Sequence, residues 1–471
     1  MSGIEGETKR EAIPPATAPS GPRAPEPEPE QLKRETRKAL LGGSVGNFIE
    51  QFDFGIYGYM APYLAASFFP SHDPVASLLS VYLVYGLSFF IRPLGGILFG
   101  RFGDRLGRRS TLAWSLILMG LGTAAVGLLP THGSVGLLAP MLLVLLRVIQ
   151  GLSQGGEFPG AVSFIVEYAP AGRRGRYTSA LSSSTFVGLL AGSGVAALVS
   201  GLLGDQTMTG GGWRIPFLIA LPLTVVGLLL RMRIRETPEF EALTSRRRGG
   251  DERAKAPFSE TVRTQWKPIL VYAGCALAPA TIAPTFIAFI PSYLKRNLGL
   301  SGSQALLTGT ISLAVVALMV FPVGRLTDRF GRKPLFAWGC GLAIVLMPFS
   351  VLLMHNHGFA ILLLGQLLFM VPIWLTNVSL NVTLAEMFPT RLRYSASALA
   401  YNLPFAIFAG SAPLVSGSLL SSTGTIWSVV GYLSGLAVIS TVCVVWGLRE
   451  TYRSELRKGA GHSVSPGEIH R

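Results

Sequence analysis

The sequence predicts an all-α integral membrane protein of twelve transmembrane helices in two six-helix bundles. Three observations carry that reading: an apolar bulk, an internally repeated loop, and basic residues gathered on one side. The chain has 471 residues, 49% hydrophobic and only 14% charged. Its mean hydropathy of +0.47 places most of the mass in lipid. The stretch Gly100-Arg101-Phe102-Gly103-Asp104-Arg105-Leu106-Gly107-Arg108-Arg109 returns 224 positions later as Gly324-Arg325-Leu326-Thr327-Asp328-Arg329-Phe330-Gly331-Arg332-Lys333. Each copy lies between two long apolar runs, so the two halves repeat one plan.

At about 20 residues per crossing, spans 1 and 2 fall at 40–67 and 77–99, followed by the first repeated loop. Spans 3 and 4, at 110–129 and 135–166, end at a basic loop, and spans 5 and 6 take 177–203 and 213–231. The second half repeats the order with spans at 268–294, 302–323, 334–354, 359–386, 394–420 and 425–448, the second loop copy lying between spans 8 and 9. The bundles therefore occupy 39–232 and 268–448, joined by a charged linker at 233–267 that reads as partly helical on the membrane surface. A Pro-rich tail at 1–38 reads as disordered with no cleavable signal, and a short basic tail runs from 449 to 471.

The net charge of +15 is a topology signal, because 35 of the 40 Lys and Arg lie in the tails and alternate loops. Arg92 and Arg147 lie inside spans, and only Arg214, Lys295 and Arg296 fall at the other face. The positive-inside rule puts both termini in the cytoplasm of a multi-pass protein of the cell membrane. Nucleic acid is excluded as a partner. Cys275, Cys340 and Cys443 are scattered through apolar spans, so no disulfide or metal framework is implied. No nucleophile set, metal cluster or nucleotide loop stands out, which argues against an enzyme and against any cofactor.

An ionisable side chain inside a span costs roughly 2.5–3.5 kcal/mol, so each one needs a reason. On span 1, Glu50, Asp53 and Tyr57 fall within an arc of about 60° and are expected to face one cavity. Span 2 adds Arg92, and span 4 adds Arg147, Gln150, Gln154 and Glu157 within an arc of about 80°. Two readings stand for Arg92: a structural ion pair with Glu50 or Asp53, or a part in binding and coupling. Glu157 reads either as a coupling acid or as a charge near the interface satisfied by Arg147. Arg214 reads as an interfacial anchor or an outer-gate contact. The second half offers neutral groups instead, Asn377 and Asn381 on span 10 and Asn402 on span 11. The Phe and Trp residues of the spans read as lipid-facing or packing residues.

The repeated loop has its own logic. Gly100, Gly107, Gly324 and Gly331 allow a tight loop and close helix approach, while Asp104 and Asp328 can pair with basic groups or a helix N-terminus. Arg105, Arg108, Arg329 and Arg332 flank those acids, and Glu167 is expected to join the latch through Arg173 or Arg174.

This G-x-x-x-D-R-x-G-R-[RK] pair resembles the signature of the major facilitator superfamily. Further stretches resemble its metabolite:proton symporter branch. They are Gly46-Asn47-Phe48-Ile49-Glu50-Gln51-Phe52-Asp53-Phe54, Arg92-Pro93-Leu94-Gly95-Gly96, Gln150-Gly151-Leu152-Ser153-Gln154-Gly155-Gly156-Glu157, Gly212-Trp213-Arg214-Ile215-Pro216-Phe217 with Glu236-Thr237-Pro238-Glu239-Phe240, and Glu386-Met387-Phe388-Pro389-Thr390-Arg391-Leu392-Arg393. Glu50-Gln51-Phe52-Asp53 is similar to citrate carriers, while Gly155-Gly156-Glu157 and the span 6 region are similar to proline/betaine carriers. The tail from Arg449 lacks the coiled-coil heptads of osmosensing members. The resemblance implies a monomer that imports a small carboxylate-bearing metabolite, an organic acid or a zwitterion, by alternating access driven by protons. An exporter of the same fold is the alternative; the drug:proton antiporters carry a Gly-Pro motif in span 5, which Val187-Gly188-Leu189-Leu190-Ala191-Gly192-Ser193-Gly194 lacks. A non-transporting sensor would have lost the charged cavity or the paired latch.

Overall fold

A computed structural model describes residues 29–232 and 258–452 apart from 107, 156, 171, 357, 390 and 391. Side chains are described from residue 40 onward, without those of 100–112, 164, 168, 231, 258, 259, 302, 303 and 394. The first half forms α1 (Pro29–Phe68), α2 (Pro74–Leu106), α3 (Arg108–Leu128), α4 (Leu138–Gln154 and Glu157–Tyr168), α5 (Arg174–Thr207) and α6 (Arg214–Leu218 and Ala220–Met232). The second half forms α7 (Phe258–Pro284, Thr285–Phe289 and Ile290–Arg296), α8 (Gly302–Phe330), α9 (Arg332–Met354) and α10 (Phe359–Glu386). It closes with α11 (Arg393–Pro404, Phe405–Ala409 and Gly410–Thr423) and α12 (Trp427–Val442 and Cys443–Gly447).

Helices are the form such sequences take because lipid offers no partner to a free N–H or C=O. Among the described residues, nine helices are long and apolar enough to cross a membrane. The other three expected spans fall on α1 and on the shorter apolar stretches Ala113–Leu128 and Arg214–Leu230. Two boundaries differ from the sequence reading. Helix α1 starts at Pro29, inside the segment expected to be a disordered tail. Residues 258–267, expected in the linker, form the first turns of α7, and 233–257 lie outside the described residues.

The helices α7 and α11 each change winding partway along. Each carries a proline, Pro284 or Pro404, followed by a π-turn, Thr285–Phe289 or Phe405–Ala409. A π-turn shifts the facing of every later side chain and is common where a helix serves a site. The two halves meet along α5 against α8 and α2 against α11, seams related by exchanging the halves. One continuous apolar core spans both. Large apolar side chains such as Leu202, Leu318 and Trp338 point outward, as a lipid-facing surface requires.

Within the first bundle α2 and α4 touch backbone to backbone. A Cβ on Gly95 would overlap the Leu152 carbonyl, and one on Gly155 would overlap the carbonyl of Arg92. Gly95→Ala should therefore cost about 1–3 kcal/mol of overpacking, whereas Gly201→Ala, which meets nothing within 4 Å, should be neutral. Thermal unfolding followed by tryptophan fluorescence in detergent checks this; equal midpoints for the two variants would remove the close-packed seam.

Candidate functional site

Two guanidinium–carboxylate pairs lie buried in the first bundle, one turn apart along α1. In the first, Arg92 Nη2 donates to Glu50 Oε1 at 2.5 Å and to Gln154 Oε1 at 3.1 Å. Its guanidinium sits 4.9 Å and 4.6 Å from the ring centres of Phe54 and Phe89, contacts that stabilise a desolvated cation. Glu50 Oε2 and Arg92 Nε make no hydrogen bond among the described residues.

The second pair is more fully enclosed. Arg147 donates to Asp53 Oδ2 at 2.6 Å and to Oδ1 at 3.4 Å. Thr123 and Gln150 donate to Oδ1 at 2.7 Å and 3.1 Å. The Arg147 guanidinium lies 3.9 Å from the Tyr57 ring centre, while the Tyr57 hydroxyl donates to the Val81 carbonyl. Glu157 takes a hydroxyl from Ser115 at 3.2 Å. The helical arc of span 1 was expected to aim Glu50, Asp53 and Tyr57 at one cavity. They instead divide, because Arg147 reaches Asp53 and leaves Glu50 to Arg92.

The cavity lies between the bundles, and the centre of a water-sized sphere can move through about 80 Å³ of it. Of the residues singled out from sequence, Arg92, Asn377 and Asn381 line it; Glu50, Asp53, Tyr57, Arg147, Gln150, Gln154, Glu157 and Asn402 do not. Asn381 Nδ2 bridges to Ser182 of the first bundle at 3.0 Å and to Asn377 Oδ1 at 3.2 Å. Asn402 Nδ2 donates across the seam to the Gly155 carbonyl at 2.8 Å.

Sequence reasoning assigned the aromatics to lipid or packing, yet much of the cavity wall is aromatic, including Phe54, Tyr85, Phe89, Phe158, Tyr401 and Phe405. Tyr401 stacks on Phe405 at 4.2 Å and meets Phe158 at 5.0 Å between ring centres. The available signal was adjacency: Phe158 follows Glu157, and Tyr401 precedes Asn402.

On the arginine-rich face, Asp328 spans the two bundles. Its carboxylate accepts from Gly175 N at 2.8 Å and Arg176 N at 2.9 Å, the N-terminal amides of α5, where the helix dipole favours an anion. Gly324 makes that approach possible, since a Cβ there would lie 2.6 Å from the Ser179 Cβ. Beside it Arg332 forks onto Glu386 with two bonds of 3.1 Å, and Arg174 reaches the same acid at 3.0 Å. Gly331, at φ 97°, turns the chain from α8 into α9. Arg329 faces away, 5.4 Å from the Phe330 ring centre.

Glu167 was expected to pair with Arg173 or Arg174; it meets Arg393 of the other bundle at 2.6 Å, because Arg174 is engaged by Glu386. The sequence reading also missed Glu450, which caps α9 through the amides of Arg332 and Lys333, and Thr451, which donates to Glu386 at 2.7 Å. Gly107 and the side chains of Gly100, Asp104, Arg105 and Arg108 lie outside the described residues.

The opposite face carries a lighter tie. Lys295 Nζ donates to Asp205 at 2.9 Å and to the Tyr63 hydroxyl at 3.3 Å. Arg296 donates to the Pro74 carbonyl at 2.9 Å. Arg214 bonds the Leu129 carbonyl at 2.9 Å within its own bundle, so it anchors rather than gates. Ties thus stand at both faces, with the cavity between them.

Two helical bundles, broken helices at a central cavity and interlocks at both faces define a membrane carrier. The chain belongs to the Major Facilitator Superfamily, whose family model matches residues 43–403 and 284–467. The proline/betaine transporter of Salmonella typhimurium is 36% identical over 91% of this chain and 86% of that one. The glycine betaine/proline/ectoine/pipecolic acid transporter of Dickeya dadantii is 37% identical with the same coverage. A solved proton:xylose symporter shares the fold at a TM-score of 0.72 and 18% identity, over 89% of this chain and 97% of that one.

Asp328→Asn keeps a side-chain acceptor but turns an amide N–H₂ toward a backbone donor, a loss of about 1–3 kcal/mol. Transport rate should fall several-fold with half-saturation nearly unchanged. Lys295→Ala removes a partly exposed pair of about 0–1 kcal/mol and should change the rate about twofold at most. Initial-rate uptake in vesicles decides both, and a wild-type rate for Asp328→Asn would remove the latch.

Proposed function

We propose that this chain is a proton-coupled importer of small zwitterions bearing a carboxylate, working by alternating access as a monomer in the cell membrane. The observation that carries this is the cavity wall: Arg92 is its one charged residue among the described residues, set among aromatic rings. A guanidinium is the best geometric match for a carboxylate. Aromatic faces hold an alkylated ammonium by cation–π attraction without needing an acid. Proline and betaine, named for the relatives, combine these two features.

The one-sided distribution of Lys and Arg supports cytoplasmic termini, with the Asp328 latch on the inner face. Opening inward then means releasing Asp328, Glu386 and Glu167 from the other bundle; opening outward means releasing Lys295 and Arg296. Under this reading the carrier works as a monomer, and the proton gradient serves as the energy source with no cofactor.

Purified protein in proteoliposomes should accumulate labelled glycine betaine or proline when the outside is acidic, and other small carboxylates should compete. Uptake of a neutral sugar or a hydrophobic cation, unaffected by any carboxylate, would sink the reading. Arg92→Lys keeps the charge but loses the fork, so apparent affinity should fall roughly 10-fold, equivalent to about 1.5 kcal/mol. Tyr401→Leu should weaken betaine about 2- to 30-fold, the worth of about 0.5–2 kcal/mol of cation–π attraction, and a negatively charged dicarboxylate much less. Competition curves measure both.

A further inference from the structure

We infer that the solute selected by this cavity carries a hydroxyl group besides its carboxylate and its cation, and that Gln51, Thr185 and Asn377 read it. The inference rests on the zwitterion reading above and narrows its substrate class.

Arg92 and the aromatic rings meet the two charged ends of a zwitterion, yet they are not the whole wall. Gln51 from α1, Thr185 from α5 and Asn377 from α10 also line the cavity, and each keeps hydrogen-bonding capacity that the protein does not use. No described residue bonds the Gln51 side chain, so both its carbonyl and its N–H₂ are free. Gly188 lets that side chain lie against α5, since a Cβ on Gly188 would fall 2.9 Å from the Gln51 Cβ. The Thr185 hydroxyl accepts from Asn47 Nδ2 at 2.8 Å and donates to no described residue, which leaves its proton available. Asn377 Oδ1 accepts from Asn381 Nδ2 at 3.2 Å, while its own N–H₂ meets no described acceptor.

The group that fits follows by exclusion. A second carboxylate would bring net negative charge to a wall whose one cation among the described residues is already paired with Glu50. A second ammonium would find no counter-ion, because among the described residues no Asp or Glu lines the cavity. The unused groups are neutral and mixed: two donors, and one amide that both donates and accepts. A hydroxyl is the smallest group that also does both. It can give its proton to the Gln51 carbonyl while taking one from Asn377 or Thr185.

A solute without the hydroxyl can still bind through its charged ends, but it takes water from these three side chains and offers nothing in return. An amide left unpartnered in a desolvated site costs more than its hydrogen bond contributes when made. A site built to bond a hydroxyl therefore discriminates against the analogue that lacks it more sharply than an apolar pocket discriminates by size. The three readers come from both bundles, Gln51 and Thr185 from the first and Asn377 from the second, so the hydroxyl is met from two sides.

Two pairs of solutes that differ by a single hydroxyl provide the test: carnitine against γ-butyrobetaine, and hydroxyproline against proline. Binding to the purified full chain is measured by isothermal titration calorimetry, and gradient-driven uptake in proteoliposomes. In at least one pair the hydroxylated member should bind at least about 5-fold more tightly, the lower bound for one unsatisfied buried group. Gln51→Leu, which keeps the bulk and removes the amide, should abolish that preference by weakening the hydroxylated member and leaving its partner nearly unchanged. Asn377→Leu, on the other bundle, should do the same and serves if Gln51→Leu does not fold. A variant that merely disturbs packing shifts both members of a pair together. That result overturns the assignment, as does the lack of any hydroxyl preference in the wild-type protein. Failure of the zwitterion reading looks different, since none of the four solutes then binds or accumulates. If they accumulate without a hydroxyl preference, the carrier stands and the role of Gln51, Thr185 and Asn377 falls.

Discussion

A guanidinium cannot be left without an anion in a low-dielectric interior, and much of this structure follows from that constraint. Breaking a buried pair by removing one partner costs about 3–5 kcal/mol. Arg147 meets the constraint permanently through Asp53, and Arg332 through Glu386. Arg92 meets it through Glu50 while also lining the cavity. Among the described residues Arg92 is the one cation on the cavity wall, where, under the proposed function, a bound carboxylate would take the place of the protein's own. The backbone seam of α2 and α4, closed by Gly95 and Gly155, holds Arg92 within hydrogen-bond reach of Gln154.

The ties between the bundles are unequal. On the arginine-rich face those of Asp328 and Glu386 are buried and include two backbone amides of α5 and a bidentate fork. On the opposite face the Lys295 and Asp205 side chains are 27% and 54% exposed. Solvent screening limits such a pair to about 0–1 kcal/mol, whereas charge-assisted bonds shielded from water are roughly twice as strong as neutral ones. The closing segment Glu450–Thr451 adds to the stronger side by capping α9 and holding Glu386.

The sequence carried the outline of this molecule more clearly than its contacts. Apolar run lengths located the spans, because lipid leaves a helix no alternative, and the repeated loop pointed to Asp328 before any partner was known. The basic residues outside the main cluster included Lys295 and Arg296, although their tie to Asp205 and Pro74 was not foreseen. Partner choice was not legible. Glu50 and Asp53 lie about 60° apart on one helix, and periodicity alone cannot say which arginine reaches which acid. Glu386 and Glu450 carry no local pattern that marks a latch, since the partners of Glu386 are 54, 65 and 212 residues away in the chain and those of Glu450 on α9 are 117 and 118. The aromatic wall was hidden for another reason: a Phe facing a cavity and a Phe facing lipid satisfy the same apolar pattern. Pro284 and Pro404 were visible as residues, but the π-turns that follow them depend on the neighbours they pack against.

The buried pairs of the membrane interior lie in the first bundle, while the second meets the cavity with Asn377, Asn381, Tyr401 and Phe405. That division shapes how such a chain can evolve. A substitution at Asn377, Asn381, Tyr401 or Phe405 changes a volume or one neutral hydrogen bond and strands no charge. Under the proposed function, a lineage can therefore drift from one solute to another through single, individually viable steps in the cavity wall of the second half, while the charged pairs of the first half stay in place.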